Sequence, residues 1–475
     1  MKKLFYTSIL LLSIACSKDY LNEPKPTAQI SGELVYGSRS GVEAYISGIL
    51  RMVRTLDGNF NTGGMDAMYT ARSVKGKDII ALGPFMWWID DYKYEDRAAT
   101  HARPIFSWKY PYEIIRHVNF LLEGIENSDN LSESDKKELA AQGYALRGFY
   151  YFQLAQEFQL TYTHNPNAPA PPIVTKPNQE DQPMSALKDM YTLIVSDLEK
   201  AVADASTTRL GKSYIDKNVA AGILARVYQV MAGSDPSSEY WHKAEKMAHL
   251  AYGGSVAAAL DPESYGDGFN DIQNKEWIWG MPQRSDQTLY FATAPSTSSD
   301  PKSPGTSLYI DKDFVDTFSD TDVRNLFTEN KKAKIKAKTF TNAKFTFSFD
   351  ADMVLMRTAE MILIEAEAKY WQGEEVGAHD LLYALQQNRD PQAVKSSNAG
   401  DALLDEILLE RRKELYLEIG TEWYDARRLQ RGITRSAYHP SDIDLTANDK
   451  RFYLKVPQAE IDANDQIDES VNAGR

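Results

Sequence analysis

Three sets of side chains in this sequence could do chemistry, and their spacing says what kind. Glu360, Glu365, Glu367, Glu410, Glu414 and Glu418 supply carboxylates. Glycoside hydrolysis needs two of these facing each other across a sugar, about 5 to 10 Å apart. Here they sit inside helical runs whose other positions are apolar. Arg411, Glu414 and Glu418 stand at i, i+3 and i+7, the spacing of an ion-pair network within or between helices. Arg411 also shares a stripe with Leu404, Leu408 and Leu415, so its guanidinium has to be paired. A structural role is therefore expected over catalysis. Among the seven histidines, His101, His117, His164, His242, His249, His379 and His439, there is no His-Glu-x-x-His run. His242, Glu245 and His249 share a helix face, where a solvated surface is expected rather than a metal site. No nucleophile elbow, phosphate loop or dinucleotide fingerprint occurs, and no cofactor is expected.

Aromatic residues are the third set. Sugar rings present apolar C–H faces with hydroxyl rims, and Trp or Tyr offers a flat apolar surface with a polar tip to match. The densest run is Phe85-Met86-Trp87-Trp88-Ile89-Asp90-Asp91-Tyr92-Lys93-Tyr94, directly after Gly83-Pro84. Adjacent tryptophans on a loop are hard to bury together, and loops on a rigid scaffold are where binding residues concentrate. Trp87, Trp88 and Tyr92 are therefore candidate stacking residues, with Asp90, Asp91 and Arg72 as hydrogen-bonding partners for hydroxyls.

The elements that must position these groups are mostly helical. Helical periodicity runs through residues 39–56, 107–127, 134–160, 185–204, 216–232, 238–252, 352–372, 375–388 and 401–419. Small residues step along single faces, as in Ala141, Ala145, Gly148 and Phe152, or Leu355, Ala359, Ile362 and Ala366. Such stripes let a second helix approach closely. They have the logic of tetratricopeptide hairpins, best matched from Met361 to Asp390. Two stretches break the pattern, near 57–104 and 253–350. Within the second, Ile335–Phe340 and Lys344–Phe349 alternate around Thr341-Asn342-Ala343, which predicts a hairpin whose lysines guard an exposed edge.

The whole chain has 475 residues and a formal net charge of −14, which excludes a general nucleic-acid binder. Length alone would suggest two or three domains. Its only cysteine, Cys16, can form no intrachain disulfide. Lys2 and Lys3 precede an apolar run, Leu4 to Ala15, that is too short to span a bilayer and has the form of a secretory signal peptide. Leu12-Ser13-Ile14-Ala15-Cys16 resembles a bacterial lipobox, in which the cysteine becomes the lipid-modified first residue. Loss of both lysines would take the charge from −14 to −16. Residues 16–30, polar and proline-containing, read as a tether.

Met356 to Ala368 resembles the helix signature of the SusD/RagB family of Bacteroidetes outer-membrane lipoproteins. So do Ile407 to Glu418 with Trp423-Tyr424-Asp425-Ala426-Arg427-Arg428, the helix around Ala145 to Tyr151, Tyr453-Leu454-Lys455-Val456-Pro457, and the start at Cys16 to Leu21. Asn464-Asp465-Gln466 and Lys455-Val456-Pro457 depart from the family's usual terminal pattern. The resemblance implies a mostly α fold of about four tetratricopeptide-like hairpins, with long irregular ligand-binding insertions and minor β-hairpin content. It implies one helical domain over 31–475, after a signal peptide (1–15) and a lipidated tether (16–30). It further implies a non-enzymatic lipoprotein, anchored to the outer membrane through Cys16 and facing the cell exterior. Such a protein binds oligosaccharides and caps a SusC-like TonB-dependent transporter. The family's glycan platform adds Trp277, Trp279 and Tyr290 as secondary candidates. The rivals are a surface glycoside hydrolase, a SusD-like binder of a non-glycan nutrient such as peptide, and a transporter lid with little ligand affinity of its own.

Overall fold

Helix starts follow the side chains able to cap them. Ser38, Ser132, Asp216 and Ser238 each accept a backbone N–H from the first turn that follows. The computed structural model describes residues 32–54, 59–83, 87–283 and 295–475. Cys16, the signal peptide, the tether and Tyr290 lie outside the described residues. The longer helices are α1 (Arg39–Met52), α2 (Gly64–Val74), α3 (Ala102–Glu126), α4 (Glu133–Phe158), α5 (Leu187–Asp204), α6 (Lys217–Ala232), α7 (Glu239–Tyr252), α8 (Thr358–Trp371), α9 (Glu375–Arg389), α10 (Asp401–Leu415) and α11 (Thr421–Arg428).

From α3 to α9 each helix packs on the next, so α4 to α8 are each flanked on both sides. The small-residue stripes make this spacing workable. A Cβ on Gly148 of α4 would come within 2.9 Å of Leu198 on α5, and Ala141 and Ala145 are fully buried beside it. The fold is mostly α with minor β content, as expected.

Four short strands form an antiparallel sheet: β1 (Ile79–Ala81), β3 (Leu308–Ile310), β5 (Phe340–Asn342) and β4 (Phe327–Glu329), in that spatial order. A separate ribbon pairs β2 (Trp277–Met281) with β6 (Met353–Arg357). Both strands of the ribbon are buried throughout.

Three expectations about elements change. The stretch 352–357, read as the start of a helix, is strand β6; a short apolar run is ambiguous between a buried strand and a buried helix. The region after residue 56 holds helix α2 and strand β1 rather than loop alone. The hairpin around Thr341-Asn342-Ala343 does not form, because Phe340–Asn342 pairs with Phe327–Glu329. Lys344, expected on an exposed edge, is fully buried; its ammonium donates to the carbonyls of Glu414 and Tyr416, both at 3.0 Å, and to Glu418 at 2.7 Å.

Between α10 and α11 the chain turns at Gly420, with φ +75°, and passes so close to α2 that any Cβ there would collide with the Cβ of Arg72. Gly420→Ala is therefore expected to cost about 2–3 kcal/mol, combining left-handed strain with overpacking. Urea denaturation checks this, and an unchanged midpoint would show that the turn relaxes freely.

Candidate functional site

The two adjacent tryptophans part company at the start of the short helix Ile89–Lys93. Trp88 is 1% exposed, and its indole N–H donates to Ser298 Oγ at 3.0 Å. Trp87 stays half-buried. Its ring centroid lies 4.6 Å from that of Phe60, with the planes tilted by 39°. Its carbonyl accepts from the Asn61 side-chain amide at 3.0 Å. On its other side the indole meets Gly305, where a Cβ would come 3.3 Å from the ring. Asp90 is exposed three residues on, with no side-chain hydrogen bond or ion pair among the described residues.

The segment 295–307 braces this edge. Ser298 holds Trp88, Gly305 underlies Trp87, and Asp300 Oδ2 accepts from the backbone N–H of Phe347 at 2.6 Å. Phe347 and Phe349 pack edge to face with centroids 5.1 Å apart, and Phe349 is 40% exposed. One loop thus supports Trp87, on which Phe60 and Asn61 pack, and through Asp300 holds the segment that carries Phe347 and Phe349. Such a surface offers flat apolar contact beside a carboxylate, the chemistry a saccharide needs.

The remaining expected site residues are structural in this fold. Tyr92 is buried, and its hydroxyl lies 2.8 Å from Nδ1 of His439. His439 Nε2 lies 2.9 Å from the Lys77 carbonyl and donates to it, so Nδ1 accepts the Tyr92 proton. Burial, helped by Arg435, pushes the His439 imidazole down to about 4 and keeps it neutral. Arg72 is buried on α2, donating to Glu157 at 2.6 Å and Gln153 at 2.9 Å. Trp277 and Trp279 lie on ribbon strand β2; Trp279 donates to the Ser213 carbonyl at 3.0 Å and packs edge-on against Phe149. Buried faces of this kind cannot meet a ligand. The run Trp277-Ile278-Trp279-Gly280-Met281 already had the unbroken apolar character of a strand buried on both faces.

Asp91 is buried as well, held by Arg103 through bonds of 2.8 and 3.0 Å. Beside it, Lys75 Nζ lies 3.1 Å from Asp96 and 3.8 Å from Asp91. Burial pushes the Asp96 carboxyl up to about 7, with Lys75 pulling the other way and Asp91 adding repulsion. An unfolded aspartate titrates near 3.9, so between about pH 4 and 7 the folded chain holds an extra proton and loses stability as pH rises. Asp96→Asn should flatten that slope. Thermal midpoints of both proteins from pH 4.5 to 8 test this, and parallel curves would refute it.

Phe60, Asn61, Phe347 and Phe349 were not foreseen. The signal for the first two is an aromatic set between asparagines, Asn59-Phe60-Asn61; the phenylalanines of 345–349 have the alternation of a strand. The carboxylates that suggested catalysis are all engaged. Glu360 pairs with Arg226, Glu367 with Arg428, Glu410 with Arg324 and Glu418 with Arg357, while Glu365 accepts from Tyr252. Glu414 pairs with Arg324, Arg357 and Arg389. Arg411 is buried and paired with Asp425, as its apolar stripe required. Among the described residues no group of three or more His, Cys, Asp or Glu side chains is placed to hold a metal ion, and no helix is long and apolar enough to cross a membrane.

Two family models match successive parts of the chain. One, described as starch-binding and associating with the outer membrane, covers residues 65–229; the other, the SusD family, covers 341–474. Among solved structures, a SusD-like carbohydrate binding protein from Bacteroides vulgatus is 26% identical, with a TM-score of 0.80 over 91% of this chain and 97% of its own. A SusD superfamily protein from Bacteroides thetaiotaomicron is 23% identical, with a TM-score of 0.77 over 90% and 99%. One from Bacteroides fragilis is 21% identical, with a TM-score of 0.77 over 91% and 99%. No curated protein matches the chain. With both models in chain order, spanning together more than half of it, and the same helical fold recurring in these structures, the chain belongs to the SusD/RagB family.

Proposed function

We propose that this protein is a lipid-anchored outer-membrane protein that binds oligosaccharides and hands them to a SusC-like TonB-dependent transporter. Family membership supports glycan binding for nutrient uptake, and the B. vulgatus relative is itself described as a carbohydrate binding protein. The observation that carries the reading here is Trp87, a half-buried ring packed on Phe60 beside the exposed Asp90. Anchoring rests on the lipobox-like run ending in Cys16, and 1–15 as signal, 16–30 as tether and 31–475 as one domain remain part of the proposal. Binding rather than hydrolysis is favoured because each signature glutamate is already engaged.

Calorimetric titration of the purified chain with a panel of oligosaccharides tests the proposal. Saturable binding without turnover of the sugar is expected. Release of shortened products, lost on substitution of a carboxylate, would establish the hydrolase instead; a response to peptides alone would establish the non-glycan binder.

A further inference from the structure

Strands β4 (Phe327–Glu329) and β5 (Phe340–Asn342) form a hairpin whose loop runs from Asn330 to Thr339. The loop holds Lys331, Lys332, Lys334, Lys336 and Lys338 and no acid, in a chain of net charge −14. None of these five lysines has an ion pair or a side-chain hydrogen bond among the described residues. Lysines near a sheet edge ordinarily guard it against pairing. Here the edge strand itself, Phe327-Thr328-Glu329, carries none. All five stand beyond its last paired residue.

The loop is held in shape. The Asn330 N–H donates to the Thr339 carbonyl at 2.7 Å and closes the neck; the Lys338 N–H donates to the Ile335 carbonyl at 2.9 Å. The Lys332 N–H donates to Asn330 Oδ1 at 3.1 Å. Ala337 is 4% exposed and packs into the core. Lys336 and Lys338 set their ammoniums 3.7 and 5.4 Å from the ring centroids of Tyr438 and Tyr309, so two of the charges are fixed over aromatic faces. Lys331, Lys332 and Lys334 are exposed, and next to them Ile335 is 50% exposed.

Recognition of one particular oxyanion favours the paired donors of arginine. This loop has no arginine. It offers point charges on flexible stems around an exposed aliphatic side chain, which suits an extended anionic surface with an apolar layer beneath. An acidic polysaccharide would meet the charges but not the isoleucine.

We infer that the 330–339 loop rests on the phosphate-bearing headgroups of the membrane, with Lys331, Lys332 and Lys334 as its electrostatic contacts and Ile335 entering the interface. The inference rests on the proposed lipid anchor at Cys16 and adds a second contact to it. Acyl chains at one residue tie the chain to the bilayer without orienting the body, and a polybasic patch supplies the orientation.

The test uses the full, lipidated chain on vesicles of phosphatidylcholine alone and of phosphatidylcholine with about one third phosphatidylglycerol, with lysine acylation rates read by mass spectrometry. Lys331, Lys332 and Lys334 should be acylated about fivefold or more slowly on the anionic vesicles, and added salt should remove the difference. Ile335→Asp, a change at an exposed position that leaves every reporting lysine in place, should restore fast acylation. Equal rates on the two vesicles, or slow acylation retained in Ile335→Asp, would overturn the inference. So would stronger protection by soluble polygalacturonate than by anionic vesicles, which would give the patch to a ligand. Retention on neutral vesicles through washing reports the anchor separately: a chain that washes off sinks the anchor, whereas a retained chain with equal rates sinks only the role of the loop.

Discussion

Glu414→Ala is expected to destabilise the protein by about 3–5 kcal/mol, since it strips the partner from charges held in the interior. The Glu414 carboxylate is fully buried on α10. It accepts from Arg357 at 2.7 Å, from Arg324 at 3.0 Å, and from Arg389 at 3.0 and 3.2 Å. Burial opposes its ionisation, but the guanidiniums of Arg389, Arg357 and Arg324 overcome this and hold it well below the usual carboxylate range. Glu276, Glu410, Glu418 and Asp322 complete the balance around the three arginines and Lys344. Without Glu414, three guanidiniums are left with less charge than their burial requires. Glu414→Gln should lose nearly as much, because the shape remains but the charge does not. Equilibrium urea unfolding of the two variants decides the matter; midpoints within error of the wild type would mean that the cluster is solvated in solution.

The same cluster sets the acid limit of the fold. Glu414 and Glu418 have depressed pKa values, so the stability they contribute is present above the unfolded range, near 4.3, and is lost as pH falls through their folded values. Asp96 acts with the opposite sign, weakening the fold as pH rises toward 7. Stability should therefore peak on the acidic side of neutrality.

Helices were legible wherever apolar and small residues recurred at helical spacing over several turns, with a capping side chain at the start (Ser132) or without one (Glu374). The expected 134–160 became Glu133–Phe158, and 375–388 became Glu375–Arg389. Pairing of Arg411 was legible too, because a guanidinium on a leucine stripe leaves little alternative. What the sequence could not show depends on distant segments. Trp87 and Trp88 look equivalent as neighbours, and only the loop 295–307 separates them, by giving Trp88 a buried hydroxyl partner and Trp87 a glycine to rest on. Lys344 reads as an edge lysine until Tyr416 and Phe269 are brought over it, with the ammonium 4.2 and 4.9 Å from their ring centroids. Trp277 and Trp279 read as loop aromatics because their strand partner, Met353–Arg357, lies more than seventy residues away in the chain and itself has the periodicity of a helix.

Trp87→Ala should remove most of the affinity for oligosaccharide, about 30-fold or more, the effect of truncating an aromatic anchor worth about 2 kcal/mol. Three features single this ring out. It is half-buried, so one part is fixed by packing while another meets solvent. Its backbone carbonyl is tied to Asn61 and its edge is seated on Gly305, so little freedom is left to lose on binding. It also packs on Phe60, which widens the apolar surface beyond one ring. Phe60→Ala should therefore weaken binding as well, and the double variant should lose less than the two single losses combined, because the rings support each other. Trp88→Ala should behave differently. Its side chain fills the interior, so the loss falls on stability, about 3–5 kcal/mol for a buried tryptophan. A folded Trp87→Ala protein with an unchanged titration curve would remove the ring from the site and shift attention to Phe347 and Phe349. Retained affinity in Trp88→Ala, measured below its lowered melting point, would confirm that only one of the two neighbours meets the sugar.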